Sequence, residues 1–306
     1  MQISVIIPTF NRAALLLQTL DSVFAQTRPA HEVIVVDDGS TDDTREAVAR
    51  GGYPVVYHFQ ENAHLGAARN AGQRLATGDG LLFLDSDDLL APRALDCLGV
   101  ALAARPDAAL AYCASRFIDA GGNPTEAPFA HPFYEGDVWA RLVAGNFIRT
   151  AGSVLIRRSA LEKVGPWVTR ERLRSNEDWE MWLRLAETGP FVHLPEPLFS
   201  YRVHASMSSD ETAMYHWALT VLEMQISRHA RDPDRLAVLA RAYDTFHEAT
   251  VFRWKQAARA DWAARKWASA WDRVLYLFRL GVRHRQTLRV LSPHRNPGTA
   301  TATVGS

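Results

Sequence analysis

Three aspartates stand within four positions in Phe83-Leu84-Asp85-Ser86-Asp87-Asp88, directly after an apolar run. Carboxylates this close repel one another. A divalent cation such as Mg²⁺ or Mn²⁺ would justify keeping them together, because hard cations take carboxylate and phosphate oxygens as ligands. An acidic helix start ahead of Pro92 is the plainer reading. A second acidic run, Val35-Val36-Asp37-Asp38-Gly39-Ser40-Thr41-Asp42, lies earlier in the chain. Its Gly39, Ser40 and Thr41 supply turn and cap chemistry in any case. Asp37 and Asp38 exceed what a cap requires and could accept hydrogen bonds from a base or a ribose, as acids at strand ends do in nucleotide-binding sheets. Pro8-Thr9-Phe10-Asn11-Arg12 adds a turn, a hydroxyl and a helix start. In Asn176-Glu177-Asp178 two acids precede an amphipathic stretch containing Trp179, Trp182, Leu183 and Leu185. A helix dipole favours anions there, so they either cap the helix or serve as proton acceptors.

The elements that must position these residues follow a βα rhythm over positions 1 to 115. Apolar runs at Ile3 to Ile7, Val33 to Val36, Val55 to Phe59, Leu81 to Leu84 and Ala109 to Cys113 predict strands. Between them, Ala13 to Phe24, a stretch capped near Ser40, Leu65 to Ala76 and Pro92 to Ala104 predict helices. Continuous apolar strands separated by helices imply a parallel sheet buried on both faces, with ligands at its carboxyl edge. The pattern loosens from Asp119 to Tyr134 and then resumes. A strand is expected at Ser153 to Ile156, helices from Ser159 and from Asp178 to Thr188, and strands at Phe191 to His193 and Phe199 to Val203. Helical spacing fills Glu211 to Val290, with Asp232-Pro233-Asp234 as a helix start. The expected domains are therefore 1–210 and 211–306, with a frayed end from Ser292.

These motifs together resemble glycosyltransferases of family 2, which have the GT-A nucleotide-diphosphosugar-binding fold. Ser4-Val5-Ile6-Ile7-Pro8-Thr9-Phe10-Asn11-Arg12, the Asp37-Asp38 run, Gly66-Ala67-Ala68-Arg69-Asn70-Ala71-Gly72 and the Asp85 cluster carry the resemblance, which extends through Asn176 to Leu185 and Tyr201-Arg202-Val203-His204. The fold it implies is α/β, a mainly parallel sheet flanked by helices, with a helical C-terminal region outside the match. The resemblance implies that Pro8, Thr9, Asn11, Asp37, Asp38, Arg69, Asn70, Asp85 and Asp87 hold the nucleotide-sugar donor. It places Asp87, Asp88 and His204 on Mn²⁺ or Mg²⁺, Asp178 as the base, and Glu177 as the lesser candidate for that role. Helix–sheet packing and a surface cation are the plain alternatives for Arg69 and Asn70. Gly152-Ser153 and Trp167 resemble the stretch lining the acceptor side, and His193 is read as structural. The implied activity is metal-dependent, inverting transfer of a sugar to an acceptor hydroxyl, in surface polysaccharide or lipid-linked oligosaccharide synthesis, with a saccharide or lipid-linked saccharide as acceptor.

Other classes fit less well. A nucleotidyltransferase would show a Gly-rich first loop with a basic residue, and a dehydrogenase a GxGxxG after the first strand; neither is present. A noncatalytic protein that retains the fold would be expected to have lost Asp88 or Asp178. With 47% hydrophobic and 22% charged residues the chain is an ordinary globular one. Lys and Arg balance Asp and Glu at 34 each, so no global field draws nucleic acid. Cys97 and Cys113 form no CxxC pair, which fits a reducing cytoplasm. No signal peptide or membrane-spanning run is read. From Glu211 onward there are 15 basic and 8 acidic residues. The basic amphipathic stretch from Arg273 is either a solvated bundle face or a contact with the inner face of an anionic membrane.

Overall fold

The computed structural model describes residues 1–125, 133–148, 150–203 and 211–291. The chain opens with β1 (Ile3–Thr9), α1 (Ala13–Phe24), β2 (Glu32–Asp37), α2 (Thr44–Gly51), β3 (Val56–Phe59), α3 (His64–Leu75) and β4 (Gly80–Phe83). β2 and β4 flank β1 and β3 flanks β2, all parallel; Thr9 is level with Asp37 and Ile6 with Phe83. Adjacent strands lie about 4.8 Å apart, so the carboxyl ends of β2, β1 and β4 form one continuous edge. The parallel strands read as unbroken apolar runs because both faces are covered: every residue of β1 and β4 is buried.

Beyond β4 come β5 (Leu89–Leu90), α4 (Ala94–Ala104), β6 (Leu110–Ile118), α5 (Trp139–Ala144), β7 (Val154–Arg157), α6 (Arg158–Val164), α7 (Glu177–Leu185) and β8 (Phe191–Arg202). The sheet has the order β3-β2-β1-β4-β7-β6-β8-β5. The sheet is mainly parallel, as expected, with β7 running antiparallel to β4 and β6, and β5 antiparallel to β8. The two strands expected at 191–203 form one strand, irregular where it faces Cys113 to Ser115. Pro195 and Pro197 lie there, and proline has no N–H for the ladder. The second helix starts at Thr44, later than expected. Asp42 Oδ1, rather than Ser40, accepts from the Thr44 backbone N–H at 3.2 Å.

Helix α3 lies flush on the sheet because Gly72 has no side chain. A Cβ there would come within 2.3 Å of Ile6 Cγ2 and 3.2 Å of Val36 Cγ2. Gly72→Ala should therefore destabilise the protein by about 1–3 kcal/mol, the usual result of overpacking, despite alanine's better helix propensity. Urea denaturation reads the change directly.

The chain divides into two compact units, Met1–Ser206 and Met207–Ser306. The second is helical, with α8 (Glu211–Arg228), α9 (Pro233–Ala263) and α10 (Trp267–Leu291). Asp232 caps α9 by accepting from the Arg235 N–H at 3.0 Å. Leu219, Leu222, Leu239 and Tyr243 are fully buried in this unit. Tyr243 donates to Glu223 Oε1 at 2.9 Å, and Arg283 pairs with Glu223 across from α10. No helix among the described residues is long and apolar enough to cross a membrane. Cys97 and Cys113 are free, and only Cys113 is fully buried.

Candidate active site at the carboxyl edge of the sheet

At the end of β1, Pro8 pairs with Val36 and Thr9 is buried, with its Oγ1 finding no hydrogen-bond partner. Asn11 takes a left-handed conformation, φ 52°, which asparagine tolerates. Its Oδ1 accepts from the Thr41 N–H at 2.7 Å and its own N–H donates to Ser40 Oγ at 2.9 Å. Asn11 therefore ties the loop after β1 to the loop after β2. Asp37 is likewise engaged by the protein: Oδ1 accepts from the Ser40 N–H at 2.8 Å, and Oδ2 accepts from the Tyr57 hydroxyl. Asp38 is buried, with Oδ1 accepting from Gln60 Nε2 at 2.7 Å and the Ala63 N–H at 2.9 Å. Gly39 turns this loop at φ 86°, and a Cβ there would meet the Asn62 N at 2.8 Å. Asp37, Ser40, Arg45 and Phe59 line a shallow hollow beside it. The Arg45 guanidinium lies 5.8 Å from the Phe59 ring centroid.

The aspartate cluster lies between β4 and β5. Arginines, rather than a cation alone, offset its mutual repulsion. Arg12 pairs with Asp87 Oδ2, and Arg69 donates to Asp85 Oδ1 at 3.1 Å. Arg202, buried at the end of β8, donates its backbone N–H to Asp88 Oδ1 at 2.8 Å and Nε to the Asp87 carbonyl at 2.7 Å. Thr19 of α1 donates to the Asp88 carbonyl at 2.9 Å. Burial first, then the charges of Asp85 and Asp87, push the Asp88 carboxyl well above the usual carboxylate range. Asp88 Oδ2 is buried and accepts no hydrogen bond. A buried carboxylate oxygen without a partner, beside two further carboxylates, fits a divalent cation. No group of three His, Cys, Asp or Glu side chains converges on a metal-sized point among the described residues. His204 lies outside the described residues.

Arg69 links this cluster to α7. It is 2% exposed, so it is no surface cation. Nη2 donates to Asp85 and Nη1 to Glu177 Oε1, both at 3.1 Å, while the guanidinium carbon lies 4.7 Å from the Trp167 ring centroid. Trp167 also packs edge-on against Phe83 at 5.0 Å and Trp182 at 5.9 Å. At 1% exposure it is a buried support for Arg69 and not the acceptor-lining residue that the sequence suggests. Both amide atoms of Asn70 hydrogen-bond the Trp167 backbone, at 2.9 and 2.8 Å. The buried pair Glu180–Arg184 completes the support, because Arg184 also donates to the carbonyls of Val164 at 2.7 Å and Pro166 at 3.0 Å.

Asn176, φ 64°, immediately precedes α7 and supplies no side-chain cap, and Glu177 and Asp178 follow as the first helical residues. They occupy its first turn, where the dipole favours anions. Asp178 Oδ1 accepts from the Trp179 N–H at 2.6 Å. Burial first, and the Glu177 charge second, push its carboxyl up to about 7, against the downward pull of the Trp179 N–H and then of Arg69. Although the side chain keeps some solvent contact, protein atoms surround the carboxyl, and the upward direction follows from that surrounding. A carboxylate that titrates near neutrality on the carboxyl edge of the sheet can accept a proton at physiological pH.

His193 is half-buried, stacked on Phe133 at 4.1 Å, and its burial lowers its proton affinity, as suits a structural residue. Sequence reasoning assigned no role to Arg12, Arg202, Arg184 or Tyr57. Arg12, Arg184 and Arg202 lie inside runs that carry the resemblance, which was the available signal.

Known proteins share this architecture. The chain resembles S. aureus TarS, solved in complex with UDP-GlcNAc, with a TM-score of 0.65, 19% identity, and coverage of 81% of this chain and 73% of that one. It also resembles the Pyrobaculum calidifontis mannosyltransferase PcManGT, solved with GDP-Man and Mn²⁺, with a TM-score of 0.61, 21% identity, and coverage of 96% and 86%. Both likenesses establish a GT-A type fold. Among curated relatives, an uncharacterized glycosyltransferase of Nostoc sp. is 33% identical over 67% of this chain and 66% of its own length. The Escherichia coli chondroitin synthase is 30% identical over 68% of this chain, which spans only 30% of that protein. The glycosyl transferase family 2 profile matches residues 4–165, and the chain belongs to that family.

Proposed function

We propose that the chain transfers a sugar from a nucleotide-diphosphosugar to an acceptor hydroxyl, with inversion at the anomeric carbon and dependence on a divalent cation. The observation that carries this reading is Asp178, a carboxyl pushed towards neutrality and tied through Glu177 and Arg69 to the aspartate cluster. The Asp178 carboxylate takes the proton of the acceptor hydroxyl as its oxygen bonds to the anomeric carbon, and the bond to the nucleoside diphosphate breaks on the opposite side. One displacement inverts the centre and needs no covalent nucleophile. Asp87 and Asp88 would hold the cation, joined by His204 if the family likeness extends to it. When bound, the cation offsets charge on the departing diphosphate. Asp38 and Thr9 face the nucleoside part. The donors bound by TarS and PcManGT support a nucleotide-sugar here. A saccharide or lipid-linked saccharide, as in surface polysaccharide synthesis, is the acceptor class we favour.

Thermal melting with UDP, GDP, dTDP and CDP, each with and without Mn²⁺, tests the site, because a ligand bound to the folded state raises the melting temperature by mass action. A Mn²⁺-dependent rise with one nucleotide is expected. In Asp88→Asn the amide oxygen still accepts from the Arg202 N–H but the charge is lost, so the Mn²⁺-dependent part of the shift should vanish. An undiminished Mn²⁺-dependent rise in this variant would remove Asp88 from the cation site.

A further inference from the structure

Where α9 meets α10, three tryptophans, one at the end of α9 and two in the first turns of α10, pack on one another and still face outward. Trp262 meets Trp267 edge-on at 4.8 Å between ring centroids and Trp271 at 6.4 Å. The three are nevertheless 53%, 48% and 56% exposed. From Trp267 an apolar row continues along one face of α10 through Trp271, Leu275, Phe278 and Val282, at helical spacings of three and four, all of them exposed. The opposite face of α10 is the one used for packing: Ala270 and Leu280 are buried, and Tyr276 stacks on Trp254 of α9 at 3.7 Å. Among the described residues of this unit, nothing covers the outward row. Scattered exposed apolar residues need no explanation, but a contiguous aromatic row does.

The charge around this row is one-sided. Residues 252–283 contain eight Lys or Arg and two Asp or Glu. Of the two acids, Asp261 accepts from Arg273 Nε at 2.7 Å and Ser269 Oγ at 2.6 Å, so its charge is spent inside the hairpin. Arg259, Arg265 and Lys266 are exposed around the tryptophans, and Arg279 and Arg285 are exposed beside the row on α10. Tryptophan rings settle at the headgroup level of a bilayer, and exposed Lys and Arg are drawn to anionic headgroups. Pairing with a second copy through this face would bring like charges together.

We infer that the α9–α10 tip and the outward face of α10 rest on an anionic lipid bilayer, with Trp262, Trp267 and Trp271 at headgroup depth and Arg259, Arg265 and Lys266 on the lipid phosphates. The contact lies on the membrane rather than through it, consistent with the hydropathy of the described helices. It does not depend on sugar transfer, and its test does not read transfer.

The full chain should co-sediment with vesicles of phosphatidylcholine mixed with phosphatidylglycerol, weakly or not at all with phosphatidylcholine alone, and less as salt rises. Its tryptophan emission should shift to the blue on binding. Trp267→Ala/Trp271→Ala and Arg265→Glu/Lys266→Glu should each bind about tenfold more weakly or worse. Both pairs are exposed, so circular dichroism and melting should match the parent; if the tryptophan variant misfolds, the charge variant still decides. Absence of binding to anionic vesicles, or undiminished binding in the folded variants, overturns the inference. So does a parent that is dimeric by light scattering and ignores vesicles, with a monomeric tryptophan variant, since the face would then be a self-interface.

Discussion

Asp178→Asn should lower sugar transfer by about 10²–10⁴-fold, the usual contribution of a positioned base, while nucleotide binding measured by thermal shift stays as in the parent. Asparagine keeps an oxygen for the Trp179 N–H, so α7 should still begin in the same place. Full transfer in this variant would remove the base assignment, whereas loss of nucleotide binding as well would mean that Asp178 supports the donor site. The pH profile provides an independent reading. The proposed base acts only when ionised, and its carboxyl is pushed up to about 7, so kcat/KM should climb from about pH 6, pass half its plateau near pH 7 and level off above about pH 8.

The same group makes stability depend on pH in a direction that can be worked out. The folded value of Asp178 lies above its ordinary value of 3.8, so between the two the folded state binds more protons than the unfolded. Its contribution to stability is then present below about pH 4 and is lost as pH rises through about 7. Asp178→Asn removes this loss, so the variant should melt above the parent at pH 8 and by less at pH 5. A carboxyl kept ionised in a crowded, partly desolvated place is a common instance of activity set against stability.

What was legible in the sequence follows from the range of the forces involved. Strands β1, β2 and β4 and helix α1 declare themselves because burial on both faces writes a continuous apolar run, and the acids at their ends stand out against it. The mixed part of the sheet was not legible, since the direction of β7 is decided by its neighbours β4 and β6 and not by its own residues. Hydrogen-bond duty was equally hidden. Asn11, Asp37 and Asn70 have residue types that suit a ligand, yet the structure gives them partners in the loop after β2, on Tyr57 and on the Trp167 backbone. Trp167 lies almost a hundred positions from Arg69, beyond any local pattern. The charge asymmetry of the C-terminal region was visible early, but not the exposure of Trp262, Trp267 and Trp271, because the same spacing would serve a buried seam.

Arg69 is where fold and site meet, and its removal should have the largest effect on stability. Its fork holds the partly exposed Asp85 and Glu177 while its face lies on Trp167, and Arg69 itself is 2% exposed. Arg69→Met keeps an apolar stem on Trp167 but leaves two carboxylates without their cation. Breaking a buried pair in this way costs about 3–5 kcal/mol, which for a unit of this size lowers melting by roughly 6–20 °C. Arg69→Lys restores the charge but not the fork, so it should recover only part of the loss. A purely structural Arg69 would leave the pH profile where it is, whereas its charge acts on Asp178 as well. Arg69 draws the Asp178 carboxyl downward, so in Arg69→Met the rising limb of kcat/KM should move to higher pH, and in Arg69→Lys it should move back towards the parent. If all three proteins share one limb, Arg69 only braces the fold; a limb displaced in the methionine variant alone makes it the group that sets the working range of Asp178.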